Sequence, residues 1–436
     1  MKKLIVPFIG LLLFLTACQE DEVVLPVDLT VKVITDENYG SLPMGEVSVK
    51  IINTTSSQSY SGVSDTEGTI TFEALPAGTY QVSATRTLDK VAFEALFGYP
   101  SESDEVIFNA SESALQVING IDSATLVMES GKVGDLLIKQ IYYAGSNTKE
   151  GASFRDQFIE IYNNSNKTIY ADGLYIMGAY GKLNTKDSGY DQANGQYDWS
   201  QSIGMNAEGD PNTDYFYSKW LYQVPGSGKD YPLEPGESFI IAQNAMNHKA
   251  PFVENDGDTV TVQNPDLTVD LSGAEFEVYL GNDLETPYVS DLDNPSVPNL
   301  IVHHIYGKDF ILDNLGRDSY LIFRAENGIS GLSSYPAPNT REVTSSSKLY
   351  IQIPKSYIID GVETQRSPDS ILPPKLTTDV DATYTYAPNG GFSSQSVIRK
   401  TVSSLGEGGR RVLQDTNNSA EDFTFLEMAT PKGFAD

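Results

Sequence analysis

One stretch of the chain, residues 180–231, is rich in tyrosine and tryptophan and holds few aliphatic side chains. Such rings offer a large contact area and a polar group, which suits protein interfaces and sugar stacking. Acidic residues among the rings could accept hydrogen bonds from sugar hydroxyls. Three interpretations are open: a protein-binding surface, a glycan platform, or a loop whose rings pack onto the body of the protein. The candidate ligand-contacting residues are Tyr197, Trp199, Tyr215, Tyr217, Trp220 and Tyr222.

Two pairs of acidic residues have the spacing of oxygen-rich turns, namely Asp256 with Asp258 and Asp291 with Asp293. Carboxylate oxygens are ligands that calcium prefers. Neither pair fits the loop of an EF-hand, and solvated turns explain the same spacing. Calcium is therefore the one cofactor for which the sequence offers candidate ligands, and no other cofactor is predicted.

Hydrolysis by paired carboxylates is the main enzymatic alternative. A glycosidase needs two carboxyl groups about 5–10 Å apart across a cleft. The chain has 59 Asp and Glu residues, so chance pairs are certain, and no local motif marks one of them. Three histidines and one cysteine leave little for histidine-based catalysis or a thiolate zinc site. We therefore predict a non-catalytic protein, with a secreted hydrolase as the rival.

Composition excludes one large class of partner. The 436 residues include 29 Lys and Arg against 59 Asp and Glu, a formal net charge of −30. Binding to a nucleic-acid backbone needs a basic surface, so no nucleic-acid partner is expected. Hydrophobic residues make up 40% of the chain, enough for packed cores, and the length suggests two to four domains.

The amino-terminal residues predict a lipid anchor. Residues 1–18 contain two lysines and then an apolar run of 12 residues, Leu4–Leu15, which is short for a bilayer span. The run ends in Leu-Thr-Ala-Cys, which resembles a bacterial lipobox and implies acylation of Cys18. The acidic tether 19–26 resembles the surface-export signal of Bacteroidota lipoproteins. We expect an outer-membrane lipoprotein that faces the cell exterior, and a plain tether with a periplasmic body is the alternative.

Residues 27–130 predict a small β-sandwich. Val27, Leu29, Val31 and Val33 alternate with polar residues, which is the period of a half-buried strand. Further along, a D-x-x-G turn precedes the pattern F-x-x-L-P-x-G-x-Y-x-V at residues 72–82. The pattern resembles the carboxypeptidase regulatory-like and Cna B-type domains, which are prealbumin-like β-sandwiches. The resemblance implies a spacer or a docking platform.

Residues 131–436 predict a larger sandwich and, with the first, an all-β fold, since no long segment has helical periodicity. The opening G-D-L-L-I, the strand F-I-E-I-Y-N at Phe158–Asn163 and the L-x-P-G-x-x-x-x-I-A segment at 233–242 resemble the lamin-tail domain. That domain is an immunoglobulin-like β-sandwich that serves mostly as an accessory module. The aromatic insertion 180–231 departs from it. Residues 396–433 resemble its returning strand, so one discontinuous domain is expected.

The layout as a whole resembles a family of uncharacterised surface lipoproteins from Bacteroidota. The resemblance implies no particular biochemical activity. Members of the family are associated with TonB-dependent outer-membrane transport. The sequence therefore predicts a non-catalytic, lipid-anchored, cell-surface binding or accessory protein with such a transporter as partner. A glycan-binding surface lipoprotein is the alternative.

Overall fold

The computed structural model describes residues 26–101, 105–118, 123–131, 135–402 and 409–435. The predicted all-β fold is confirmed, with 36% of residues in strands and 6% in helices. The predicted signal peptide 1–18, including Cys18, lies outside the described residues, as does most of the tether 19–26. No helix within the described ranges is long and apolar enough to cross a membrane.

The first sandwich spans residues 27–131, and its strands follow the order β3-β2-β5-β6-β7-β1-β4. Strand β7 links the two layers, because it pairs antiparallel with β6 at one end and parallel with β1 at the other. The elements are β1 (Val27–Thr35), β2 (Ser48–Asn53), β3 (Ser59–Val63), β4 (Thr69–Leu75), β5 (Gly78–Asp89), α1 (Lys90–Phe97), β6 (Glu105–Val117) and β7 (Ser123–Gly131).

Buried and solvent-accessible side chains alternate along β1, as the sequence predicted. Leu29, Val31 and Val33 are fully buried, while the residues between them reach the surface. The predicted D-x-x-G turn also forms, with the Gly68 amide donating to the Asp65 carbonyl at 3.0 Å. Gly68 has a φ of +74°, and a Cβ atom there would lie 2.5 Å from the Val33 carbonyl oxygen. Only glycine fits this turn without displacing β1.

The body of the protein, residues 135–435, packs two sheets face to face. Their strand orders are β17-β14-β9-β8-β23-β24 and β20-β21-β12-β11-β19-β22, with β18 paired to β12. The strands are β8 (Leu136–Tyr142), β9 (Phe158–Asn163), β10 (Ile169–Tyr170), β11 (Tyr175–Ala179), β12 (Tyr215–Gln223), β13 (Pro232–Leu233), β14 (Ser238–Ala242), β15 (Phe252–Val253), β16 (Thr259–Val260), β17 (Phe276–Glu277), β18 (Ile301–His304), β19 (Ser319–Phe323), β20 (Ser334–Tyr335), β21 (Tyr350–Pro354), β22 (Ile358–Glu363), β23 (Ser396–Arg399) and β24 (Phe423–Leu426). A short helix, α2 (Ser419–Asp422), precedes β24.

The core of the body lies between its two sheets. Ile138, Ile161 and Ile241 from one sheet and Ile176 and Ile322 from the other are almost completely buried together. Strand β23 lies between β8 and β24, so the carboxyl-terminal part of the chain completes the sheet that begins near residue 136. Burial of this apolar interface from water is the main source of the body's stability.

A buried arginine ties the two sheets together. Arg399, on β23, is 2% exposed and donates to both carboxylate oxygens of Asp360 on β22, at 2.9 and 3.0 Å. It also bonds Asp415 at 3.1 Å and Asp422 at 3.2 Å. The guanidinium can serve all three acids because it presents several donors in one plane. Arg399 therefore orders the segment 415–422.

That same segment contacts the first sandwich. Asn109 Nδ2 donates to the Thr416 carbonyl at 2.8 Å, and Lys50 pairs with Glu421 at 3.0 Å. The side chain of Asn109 is fully buried, whereas the ion pair is partly exposed. The position of the first sandwich against the body thus depends on a segment that the buried charges of the body hold in place.

Candidate binding cleft

A cleft of about 1130 Å³ opens between the first sandwich and the body. The first sandwich contributes a polar wall that includes Glu37, Glu112 and Glu129, and Glu37 and Glu112 are well exposed. The body contributes aromatic edges, amide side chains and the two lysines Lys355 and Lys375. Ligand pockets in proteins usually have volumes of about 300–1,000 Å³. The cleft is therefore large enough for a small ligand or a segment of a partner protein.

Stacked rings form one side of the cleft. We call Tyr180, Tyr197, Trp199, Tyr217 and Tyr350 the ring cluster. Trp199 lies flat on Tyr217, with ring centroids 3.4 Å apart and planes at 8°, and Tyr180 lies on Tyr350 at 3.6 Å and 16°. Trp199, Tyr217 and Tyr350 are only 4%, 2% and 4% exposed, so the cluster leaves little ring face open to the cleft. Sugar stacking requires an open face.

The hydroxyl groups of neighbouring tyrosines fix the loop that precedes β12. Tyr217 Oη donates to the Pro211 carbonyl at 2.9 Å, and Tyr215 Oη donates to the Glu208 carbonyl at 2.6 Å. Asn339 Nδ2 donates to Tyr197 Oη at 3.2 Å. Burial raises the pKa of Tyr197 to about 12, so its phenol stays protonated at neutral pH. The rings and hydroxyls together anchor residues 180–214 to the body.

The structure places the six aromatic residues that were predicted to contact a ligand in two different environments. Trp199, Tyr215 and Tyr217 line the cleft, and Tyr197 packs beside them. Trp220 and Tyr222 lie instead in the main core of the body, 3% and 1% exposed. Their assignment as ligand-contacting residues is corrected, because the segment Tyr215–Gln223 is a central strand and both residues point between the sheets.

The acidic residues of the aromatic insertion stabilise its own turns. Asp198 accepts from the Ser200 amide at 3.1 Å and from Asn212 Nδ2 at 2.9 Å. Asp191 accepts from the Ser188 amide at 2.8 Å and pairs with Lys182. These oxygens are engaged within the loop. The hypothesis that the acids bind sugar hydroxyls gains no support from this arrangement.

The cleft carries a negative balance. Lys355 pairs with Asp379 at 3.0 Å, and Lys375 donates to the Arg317 carbonyl at 2.7 Å, so both lysines that line it are engaged. Partial burial and the nearby Asp379 raise the pKa of Glu129. Carboxylates from both walls therefore face the same space, which opposes entry of an anionic ligand.

Two buried acids of the body also reach the cleft, but their oxygens are engaged. Glu363 accepts from Ser319 Oγ at 2.6 Å and from the Lys375 amide at 3.1 Å. Asp381 accepts from the Glu363 amide at 2.7 Å and the Ser419 amide at 2.8 Å. Burial raises the pKa of Asp381 to about 8. These contacts give both acids a structural role, since they hold β22 and the start of α2.

The calcium candidates lie in two different environments. Asp256 and Asp258 sit in the exposed turn between β15 and β16, and Asp293 is exposed as well. Asp291 is fully buried, and its carboxylate accepts from the Leu280 amide at 3.0 Å. Within the part of the chain that the structure describes, no three His, Cys, Asp or Glu side chains form a group that could hold a metal ion.

Sequence reasoning missed one whole wall of the cleft. Glu37 follows β1 and Glu112 lies on β6, and neither has a neighbour in sequence that indicates a site. Tyr384 and Lys355, on the opposite wall, are equally inconspicuous. The only usable signal was the excess of acidic residues, which predicts no particular location.

Comparison with known proteins gives a match for the part of the body that carries Lys355, Lys375 and Tyr384 on the opposite wall. Residues 234–431 match the family model described as protein of unknown function (DUF4876). This part of the chain is similar to the DUF4876 family. The match begins just before β14 and ends after β24, so it covers the returning strand β23 and the segment 415–422.

A solved structure supports the same relationship over nearly the whole chain. The crystal structure of a DUF4876 family protein from Bacteroides thetaiotaomicron is 25% identical, with a TM-score of 0.50, and the alignment covers 92% of this chain and 95% of that one. The predicted resemblance to an uncharacterised family of Bacteroidota is thus supported. A search of curated proteins gave no match.

Proposed function

We propose that this protein is a lipid-anchored, non-catalytic binding or accessory protein of the outer membrane, facing the cell exterior, and that it holds a partner in the cleft between the first sandwich and the body. The observation that carries the proposal is the cleft itself, which has a volume of about 1130 Å³ and lies between two parts of the chain with separate hydrophobic cores. Sites between domains are common places for ligands. Segment 415–422 fixes one wall against the other through the contacts of Asn109 and Lys50.

The amino-terminal sequence supports the proposed membrane attachment. Cys18 is the only cysteine of the chain and ends the predicted lipobox. Acyl chains contribute about 0.8 kcal/mol per buried CH₂, so two or three chains anchor a water-soluble body stably. The acidic tether that follows supports export to the surface.

A protein partner fits the cleft better than a glycan does. The rings that a sugar would stack on cover one another, as in the pairs Trp199 with Tyr217 and Tyr180 with Tyr350. The exposed carboxylates and the engaged lysines favour a neutral or basic segment of a partner over an anionic ligand. A TonB-dependent outer-membrane transporter is the partner that we propose.

The engaged acids support a non-catalytic role. Glu363 and Asp381 each accept several hydrogen bonds from the body's own backbone. An acid that must transfer a proton to a substrate needs an oxygen within reach of that substrate. A hydrolase would have to use other carboxylates.

Affinity capture from solubilised outer membranes tests the proposal. The intact lipoprotein should recover a barrel transporter, and the double variant Glu37→Lys/Glu112→Lys should recover at least tenfold less. Glu285→Lys is the matched control, because Glu285 is exposed and lies away from the cleft. Equal recovery by the cleft variant and the control, or no transporter with any of them, would refute the proposal.

A further inference from the structure

One edge of β14, in the body, has side chains at the place where a sheet would continue with another strand. Strand β14 pairs with β9 from Ser238 to Ala242. On its opposite side, β17 pairs only with Ile241 and Ala242. The backbone groups of residues 238–240 that point away from β9 therefore meet no strand within the part of the chain that the structure describes. An edge of this kind is a template for pairing with another chain.

Glu275 and Lys432, which we call the edge pair, bond the backbone at this place. Glu275 Oε2 accepts from the Ile240 amide at 2.8 Å, and Lys432 Nζ donates to the Ser238 carbonyl. The two side chains also pair with each other, with Lys432 Nζ 2.7 Å from Glu275 Oε1. The edge pair thus satisfies one donor and one acceptor of β14, as the backbone of a neighbouring strand would.

The fold positions both members of the edge pair. Glu275 directly precedes β17. Lys432 donates its backbone amide to the buried Glu160 at 3.3 Å and has a φ of +61°, a left-handed conformation that is uncommon for residues other than glycine. Both side chains are nevertheless 41% exposed. Because ion pairs on the surface contribute little to stability, a stabilising role alone does not explain this arrangement.

A groove of about 500 Å³ lies beside the edge pair. Its lining includes Tyr231, Phe276 and Phe434, and the rings of Tyr231 and Phe434 are partly exposed. The residues that line this groove are different from those that line the cleft. Without the edge pair, an unbonded amide, an unbonded carbonyl and apolar side chains would lie next to one another at the surface. Such a surface favours association through both backbone pairing and burial of apolar area.

We propose that the edge pair is a guard that prevents a second copy of this chain from adding its own β14 to this edge. The two backbone groups that the pair covers are self-complementary. When two β14 strands lie antiparallel about a twofold axis, with residue 238 of each copy opposite residue 240 of the other, each Ser238 carbonyl can accept from the other copy's Ile240 amide. A second copy is thus the partner that this edge fits, and the guard keeps the protein monomeric at this surface. The inference does not depend on the partner proposed for the cleft.

Removal of both side chains tests the guard. Sedimentation velocity is measured on the full mature chain, with Cys18→Ser in every sample to exclude association through acyl chains. The chain with the intact edge pair should sediment as a monomer. The double variant Glu275→Ala/Lys432→Ala should form a dimer whose fraction increases with protein concentration by mass action. Hydrogen exchange followed by mass spectrometry should show that the Ile240 amide of this variant becomes more protected as the dimer forms.

Two matched variants separate coverage of the edge from loss of charge. Glu275→Gln/Lys432→Arg keeps an acceptor and a donor for the edge, so it should remain monomeric. Asp135→Ala/Lys167→Ala removes an exposed ion pair of 2.8 Å that lies outside the strands, and it should remain monomeric as well. Lys432→Ala alone uncovers only the carbonyl and should dimerise more weakly than the double variant. This single variant decides the test if the double variant does not fold.

Three results would overturn the proposal. The first is an edge variant that folds and stays monomeric. The second is association of that variant without added protection of the Ile240 amide, since another surface would then be responsible. The third is a chain with the intact edge pair that dimerises and protects the same amide.

Discussion

Arg399 and Asp360 join the two sheets of the body through a bidentate ion pair, with nitrogen–oxygen distances of 2.9 and 3.0 Å. Asp360 also accepts from the Ile138 amide at 2.6 Å, so the pair reaches both β8 and β23. Through Asp415 and Asp422, the same guanidinium orders the segment on which the first sandwich rests. The cleft wall thus depends on a charge cluster buried behind it.

Replacing Arg399 by Met should lower the free energy of unfolding by about 3–5 kcal/mol, since it leaves buried carboxylates without a partner. Urea unfolding followed by circular dichroism measures the change. Arg341→Met is the control, because Arg341 is exposed, and it should stay within about 0.5 kcal/mol of wild type. A loss at position 399 no larger than that of the control would show that the cluster does not stabilise the body.

Stability should fall as pH rises from 6.5 to 8. Burial raises the pKa of Asp381 to about 8 and that of Glu277 to about 7, both above their values in the unfolded chain. Such a group binds its proton more tightly in the folded state than in the unfolded chain. Its contribution to the free energy of unfolding is therefore complete at low pH and is lost as the pH rises through the folded-state pKa. His248, whose pKa burial lowers to about 4, acts in the opposite direction only below about pH 6.5.

Urea unfolding in EDTA at several pH values measures how the free energy of unfolding changes with pH. One such group contributes up to about 1.4 kcal/mol per pH unit to this slope. Asp381→Asn should reduce the slope between pH 6.5 and 8, whatever its effect on overall stability. Asp369→Asn should leave the slope unchanged, because Asp369 is exposed. A wild-type profile that is flat or rises over this range would contradict the assignment.

The two tryptophans should respond differently to truncation. Trp220→Ala removes a ring from the main core and should cost about 3–5 kcal/mol of global stability. Trp199→Ala removes the partner of Tyr217 and should mainly release residues 180–214 from the body. Limited proteolysis should therefore cut the Trp199→Ala variant within that loop under conditions in which wild type remains intact. Tyr288→Ala is the control, because Tyr288 is exposed and lies outside the ring cluster, and it should also remain intact. Identical proteolysis of all three would show that the ring cluster does not anchor the loop.

Acylation of Cys18 has a direct chemical test. Growth with a clickable palmitate analogue should label the wild-type protein and place it in the membrane fraction. Cys18→Ser should lose both the label and the membrane association, because no acceptor thiol remains in the chain. Label on the serine variant, or an unlabelled wild type, would rule out the predicted anchor.

Local patterns predicted the strands well. The run at Phe158–Asn163 forms β9 as expected, and the segment that ends at Ala242 forms β14. Period-two alternation and turn glycines act over a few residues, so they can be identified without knowledge of the tertiary structure. The same local evidence was available for Tyr215–Gln223, where aromatic residues favour a strand. This strand was not predicted, because residues 180–231 were treated together as one aromatic insertion.

The cleft could not be predicted, because its walls come together only through long-range packing. Glu112 and Lys355 line the same space although they are far apart in sequence. Their meeting depends on Arg399 and on the contacts of Asn109, which no local pattern indicates. The contact of Lys432 with Glu275 is likewise a property of the assembled body.

Photo-crosslinking in living cells tests the central claim that the cleft holds a partner. A photoreactive amino acid at Glu112, on the exposed wall of the first sandwich, should form one dominant adduct containing an outer-membrane barrel protein. The same group at Glu285, outside the cleft, should not form this adduct. Equal crosslinking from both positions, or no adduct from position 112, would contradict the account.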